Sequence, residues 1–118
     1  MRKMTFYDWN AIDEETLNPL LMRQAIHADH LTIARLSLRK GAMVPPHSHV
    51  HEQASLVEQG ALKFVVEGRE QVVRAGQTLV LAPHETHAVE ALEDTLVMDV
   101  FSPAREDWIA GDDAYLRR

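Results

Sequence analysis

The sequence predicts a single all-β domain, either a sandwich or a barrel. The main observation is a series of short runs that favour β-strands, most of them ended by a glycine or a proline. Such runs, spaced by about 8–10 residues, are typical of all-β sandwiches and barrels. A chain of 118 residues is long enough for one hydrophobic core and too short for two ordinary ones.

The predicted strands follow an irregular or partly paired entry segment, residues 1–19, which ends at the turn signal Asn18-Pro19. In the clearest of them, alternation places Val97, Asp99 and Phe101 on one face. The predicted strands cover residues 20–26, 31–39, 53–59, 62–66, 71–74, 78–82 and 96–101.

After the last predicted strand, the sequence pattern changes from that of strands to that of a short helix. Ser102-Pro103 is typical of an N-cap followed by proline at the first helical position, which predicts a short helix over residues 104–109. Gly111 ends this helix. The rest of the chain is predicted to be a short tail that packs Tyr115 and Leu116 on the surface of the barrel.

Composition narrows the functional classes. The net charge of −6 gives no indication of nucleic-acid binding, and without cysteine any metal ion must be held by nitrogen and oxygen donors. No apolar run is long enough for a membrane helix, and Met1-Arg2-Lys3 leads into no apolar stretch, so no signal peptide is expected. We therefore expect a cytoplasmic enzyme or binding protein.

Two clusters hold five of the seven histidines. The first, residues 47–53, follows Pro45-Pro46, which removes two backbone donors and predicts that the segment begins at a sheet edge or a bend. His47 and His49 would share one strand face about 6.6 Å apart along the chain. If Gln53 is also a ligand, the chain must bend after His49, because an extended segment would be too long for one coordination sphere.

The second cluster, residues 83–87, favours one divalent metal site over the alternative of a solvated histidine loop. A neighbouring strand of a closed sheet would bring His87 to the first pair. His51 and His84 are expected outside the coordination sphere, since five rings would over-fill it. His27 and His30 are interpreted as ordinary surface or core residues.

Asp99 is the other candidate, because a carboxylate within an apolar strand is costly to bury unless it is paired or functional. It is either an acid/base group beside the metal or an acceptor that orients a metal-bound histidine. Phe101 shares its face and would either line the same pocket or simply belong to the core. Arg105 would grip a substrate carboxylate at the barrel mouth or remain a surface charge.

These residues resemble the cupins. Gly41, His47-x-His49 and Gly60 match the first cupin motif, in which Gln53 stands where many cupins have glutamate. In the second motif the matches are Gly76 and His87, whereas Ala82 and His84 replace the usual proline and glycine.

A narrower resemblance, to the pectin-degradation cupins of the KdgF type, covers almost the whole chain. It is carried by residues 90–95, Asp99-Val-Phe-Ser-Pro103, Arg105-Glu-Asp-Trp108 and residues 113–117. Leu56 replaces an aromatic residue of that family, a departure that we expect to alter substrate preference.

The resemblance implies a jelly-roll barrel (a double-stranded β-helix) with a short C-terminal helix, one domain over residues 1–118 and a core barrel over about 30–103. It implies ring opening of 4,5-unsaturated monouronates from pectin or alginate to linear 5-keto-4-deoxyuronate. The implied metal ligands are His47, His49, Gln53 and His87. The implied catalytic residue is Asp99, and the implied substrate-binding residues are Phe101 and Arg105.

The ion itself stays open: nickel, zinc, manganese and ferrous iron all suit nitrogen and oxygen ligands. The resemblance also implies a homodimer that takes a small uronate and binds neither nucleic acid nor membrane. Two alternative functions remain, an iron dioxygenase of the same fold and a sugar-binding cupin without catalysis.

Overall fold

The computed structural model of the protein describes residues 3–118, which form two antiparallel β-sheets. The all-β prediction is confirmed. The six-stranded sheet has the order β1-β2-β3-β10-β5-β8 and the four-stranded sheet the order β4-β9-β6-β7. The strands are β1 Glu15–Asn18, β2 Leu21–His27, β3 Thr32–Leu38, β4 Met43–His47, β5 Glu52–Gln59, β6 Ala61–Val66, β7 Arg69–Arg74, β8 Thr78–Leu81, β9 His87–Ala91 and β10 Thr95–Ser102.

The core fills the space between the sheets because the strands alternate in burial. In β10, Thr95, Val97, Asp99 and Phe101 are buried, as the sequence predicts, and the residues between them are half-buried. The same alternation in β3 and β5 gives the six-stranded sheet one inner face. Apolar residues of both sheets meet there in one cluster, which includes Leu36, Val57, Leu62, Phe64 and Val97.

The histidine-rich segment begins at a sheet edge, as Pro45-Pro46 predicts. β4 is an edge strand of the four-stranded sheet, and its register with β9 shifts between Val44 and His47. The chain leaves β4 at His47, bends, and enters β5 in the other sheet at Glu52. Residues 48–51 therefore cross from one sheet to the other.

The C-terminal prediction is wrong in two details. The helix α1 is shorter than predicted, Glu106–Ile109, and Arg105 rather than Ser102 is its N-cap residue. Ser102 remains in β10, where it pairs with Glu52, so the strand extends through the predicted cap. Ser102-Pro103 is a cis peptide bond.

The tail does not pack on the outside of the barrel. A 3-10 turn, Ala114–Leu116, brings Leu116 into the core and Tyr115 into the wall of the interior cavity. The Asn18 side chain fastens this segment by donating hydrogen bonds to the carbonyl oxygens of Leu116, at 3.1 Å, and Arg118, at 3.3 Å.

Within residues 3–19, the entry segment forms a 3-10 turn, Trp9–Ala11, and strand β1. The prediction about a signal peptide involves Met1 and Arg2, which lie outside the described residues. None of the helices within residues 3–118 combines the length and apolarity needed to cross a membrane.

Candidate metal centre and adjoining cavity

Three histidines converge around the segment that crosses between the two sheets. His47 ends β4, His49 lies in the crossing segment and His87 begins β9, directly opposite His47 in the register. Each offers a ring nitrogen, and these nitrogens lie within 4.8 Å of one another. The distance between the ring centroids is 4.2 Å for His47 and His87, and 5.0 Å for His49 and His87.

Backbone carbonyl groups orient all three rings. The Nδ1 atoms of His47 and His87 lie 2.8 Å from the carbonyl oxygens of Pro45 and Glu85, and His49 Nδ1 lies 3.1 Å from that of His51. A carbonyl oxygen can only accept, so these contacts assign the proton to Nδ1. Each Nε2 lone pair is left for a ligand, the arrangement usual for metal-binding histidines.

Burial also keeps the rings neutral. Desolvation lowers the pKa of His47 and of His49 to about 4, and it lowers that of His87 in the same direction. The nearby Arg105 guanidinium lowers these pKa values further. Neutral imidazole is the form that coordinates a metal ion, so the site is ready to bind at neutral pH.

Gln53 adds an oxygen to the cluster. Its Oε1 lies 3.1 Å from His49 Nε2, and its Nε2 donates to Ser55 Oγ at 3.0 Å. With the proton of His49 on Nδ1, two electron-pair donors face each other without a hydrogen between them. A cation held by these residues would remove that repulsion. Three imidazole nitrogens and one amide oxygen suit nickel, zinc, manganese and ferrous iron.

The ring nitrogens of the other four histidines lie outside this group of three, although the His51 ring packs against the His49 ring with centroids 5.2 Å apart. His51 Nε2 lies 3.2 Å from the carbonyl oxygen of Ala104, and its Nδ1 is buried without a partner among the described residues. His84 is exposed, on a turn with φ of 67°. His27 pairs with Thr32 Oγ1 at 2.8 Å, and His30 is exposed.

Asp99 lines the same interior cavity as His47, Gln53 and His87. It is 7% exposed, and its Oδ1 has no hydrogen-bond partner among the described residues. Burial raises the pKa of Asp99 to about 6, although interaction with the Ser55 hydroxyl and the Arg105 charge partly oppose this rise. A carboxyl group with such a pKa exchanges a proton readily near neutral pH.

Arg105 is more constrained than the sequence predicts. It is 1% exposed, and its Nε and Nη2 donate to the two carboxylate oxygens of Asp107 at 2.9 and 2.8 Å. Nη2 also donates to the Tyr115 hydroxyl at 2.8 Å. The guanidinium lies over the rings of Phe101, at 4.7 Å, and Trp108, at 4.2 Å. Only Nη1 is not used in these bonds.

Sequence reasoning missed two residues of this site. Tyr115 stacks on His47, with ring centroids 4.5 Å apart, and Ser55 is fully buried opposite Asp99. Tyr115 lies in a stretch that carries the family resemblance, which was the only signal for it. Ser55 has no signal in the sequence, since serine is common in strands of any kind.

Leu56, where the sequence departs from the family pattern, lies on the outer face of β5. Alternation in β5 turns Gln53, Ser55 and Val57 inward, and Leu56 outward with 39% of its surface exposed. Leu56 is not among the residues that line the interior cavity. Its difference from the family pattern therefore lies on the outer face of the sheet, away from any substrate in the cavity.

Comparison with known proteins identifies the family. The family model described as "Cupin domain" matches residues 34–102. The chain is a cupin. A search of curated proteins found the pectin degradation protein KdgF of Dickeya dadantii, 32% identical over 105 residues, which are 83% of this chain and 96% of that protein.

Solved structures agree with this assignment. KdgF from Halomonas sp. superposes on this cupin with a TM-score of 0.84 and 32% identity, covering 90% of this chain and 99% of the other. An RmlC-like cupin from Shewanella frigidimarina gives a TM-score of 0.83 and 30% identity, covering 90% and 96%. The protein therefore belongs to the KdgF-type cupins.

Proposed function

We propose that this cupin is an enzyme of pectin or alginate breakdown that opens the ring of 4,5-unsaturated monouronates. The product is linear 5-keto-4-deoxyuronate, and the reaction depends on one divalent ion. Two relatives, each 32% identical, carry the KdgF name, and one of them is described as a pectin degradation protein, which supports a substrate from pectin breakdown. The observation that carries the proposal is Asp99, a buried carboxyl group in the same cavity as the histidine cluster, with a pKa near that of a useful acid/base.

The chemistry needs one proton to move. The substrate is a hemiacetal whose ring oxygen also belongs to an enol ether. Ring opening removes the C1 hydroxyl proton and breaks the bond between C1 and the ring oxygen, which yields an aldehyde and an enolate. Protonation of C4 then gives the ketone at C5, so atoms and charge balance without a further reactant.

We assign the transfer of that proton to Asp99. Its unpartnered Oδ1 can accept the C1 proton and later release a proton to C4. A divalent ion held by His47, His49, Gln53 and His87 would supply Lewis-acid stabilisation of negative charge on the ring oxygen. Because Gln53 is neutral where a glutamate would be negative, the site keeps more positive charge for an anionic substrate.

Arg105 and Phe101 complete the proposed binding site. The bonds from Arg105 to Asp107 fix the plane of the guanidinium, so its free Nη1 is pre-oriented to donate to the substrate carboxylate. Phe101 lies beneath that guanidinium and excludes water from one wall of the cavity.

The test is to mix the protein with a 4,5-unsaturated monouronate and follow the ultraviolet absorbance of its conjugated double bond, with and without chelator. We expect an accelerated decay that chelator abolishes and added divalent ion restores. His87→Ala should abolish it as well, whereas the exposed His30→Ala should retain the wild-type rate. Decay at the spontaneous rate, with the protein folded and metal-loaded, would reject ring opening and favour oxygenase or binding functions.

A further inference from the structure

We propose that Ser55 is a positioning residue that holds the Gln53 amide with its oxygen toward the histidine cluster and ties this ligand to Asp99. The inference rests on the proposed function only in taking Gln53 as a metal ligand. It does not use the ring-opening reaction.

A glutamine side chain needs such a residue because its amide has two different ends. The oxygen is a metal ligand, whereas the NH2 group has no lone pair to give and would turn hydrogens toward the ion. Rotation by 180° exchanges the two ends at little steric cost. The partner of the amide must therefore fix which end faces His49.

Ser55 alone would not decide the orientation, because a hydroxyl group both donates and accepts. Asp99 lies directly opposite Ser55 on β10, and both side chains point into the barrel. An ionised carboxylate only accepts, so it draws the Ser55 hydroxyl hydrogen toward itself. The Ser55 oxygen is then left to accept from Gln53 Nε2, as it does at 3.0 Å.

The geometry agrees at the histidine end, where Gln53 Oε1 faces His49 Nε2 at 3.1 Å. At the other end, Asp99 is paired with Ser55 in the register of the two strands, and interaction with Ser55 lowers the pKa of Asp99. Ser55 is fully buried, so water does not compete for its hydroxyl group. Partners of metal ligands typically contribute 10–100-fold to metal affinity, and we expect an effect in that range here.

The experiment measures the affinity of chelator-stripped protein for Zn2+ by competition with a chromogenic chelator, with no uronate present. Ser55→Ala should weaken binding about tenfold or more. In the Gln53→Ala background the same substitution should have no further effect, because the amide that it orients is gone. Ser37→Ala, which removes a serine from the outer face of the same sheet, should bind Zn2+ as the wild type does.

Two results would overturn the proposal. One is unchanged Zn2+ affinity in Ser55→Ala. The other is an equal loss with and without Gln53, which would indicate general loosening of the site. If Ser55→Ala is too unstable for titration, hydrogen exchange of the Gln53 side-chain amide is measured by NMR in the wild-type protein. Slow exchange supports the bond to Ser55, and rapid exchange contradicts it. Because no step uses uronate, failure of ring opening would not affect this outcome.

Discussion

At the scale of single residues, Asp99 combines a cost in stability with a proposed chemical role. Its pKa is raised from 3.8 to about 6 because burial disfavours the ionised form. In the unfolded chain the carboxyl group ionises near its ordinary pKa. As the pH rises through the window between these two values, the unfolded state loses its proton first, and the folded state becomes relatively less stable. Above pH 6 the cost is about 3 kcal/mol.

Asp99→Asn should therefore stabilise the metal-free protein while removing activity. We expect its free energy of unfolding in urea, with chelator present, to exceed that of the wild type by up to about 3 kcal/mol at pH 8 and by little at pH 4. We expect kcat/KM for ring opening to fall at least about 100-fold. Asp29→Asn, at an exposed position, is the control and should change neither quantity. A variant no more stable than the wild type at pH 8 would show that burial of the ionised Asp99 does not destabilise the folded protein.

At the scale of elements, the C-terminal segment owes its position to buried charge. Asp113 accepts from Arg23 Nη2 at 2.8 Å and from Arg117 Nε at 2.9 Å. The Arg23 guanidinium also lies 4.5 Å from the centre of the Trp108 ring. The Arg105 guanidinium lies over the same ring. This ion pair is thus connected, through Trp108, to the arginine proposed to bind substrate.

Asp113→Ala should destabilise the protein by about 3 kcal/mol, because it leaves the buried Arg23 without its best partner. Glu15, which is half exposed, also pairs with Arg23 and is a weaker substitute. Thermal unfolding monitored by circular dichroism measures the effect. The neighbouring Asp112 is exposed, so Asp112→Ala is the matched control. Equal unfolding midpoints for the two variants would mean that the ion pair contributes no net stability.

Local sequence signals predicted most of the strands. The features that they did not predict depend on contacts between residues far apart in the sequence. Glycine and proline mark many strand ends, so the predicted bounds of seven strands lie within two residues of the observed ones: β2, β3, β5, β6, β7, β8 and β10. β4 and β9 were not predicted. Pro45-Pro46 and the short turn at His84 interrupt the sequence pattern that would indicate that these two segments pair in a sheet. The convergence of His47, His49 and His87 follows from their register across two strands, which no local pattern specifies. The positions of Ser55 opposite Asp99 and of Tyr115 on His47 also depend on contacts between distant parts of the chain.

At the scale of the whole molecule, the outer face of the six-stranded sheet exposes apolar side chains. Val80 is 60% exposed, and Leu56 lies beside it on the same outer face. The entry segment presents Met4 and Phe6, which are 93% and 87% exposed. Exposed apolar patches of this kind mark interaction sites. A two-fold pair in which each entry segment covers the other copy's sheet would bury both surfaces.

We therefore expect a homodimer in solution, measured by sedimentation equilibrium. Phe6→Ser and Val80→Ser should each shift the equilibrium toward monomer, since each removes apolar area from the proposed contact. Val50→Ser is the control, because Val50 is comparably exposed but lies in the segment between β4 and β5. A wild-type protein that remains monomeric throughout the micromolar range would contradict this arrangement.

The most direct test of the proposed reaction follows the proton that Asp99 is expected to deliver. Ring opening of a 4,5-unsaturated monouronate in D2O, observed by proton NMR at early times, reports which hydrogen position at C4 receives deuterium. Delivery from a carboxyl group fixed on one side of the cavity should label one of the two positions, in wild-type protein but not in Asp99→Asn. Equal labelling of both positions by the wild type, or the same selectivity in the variant, would contradict the role assigned to Asp99.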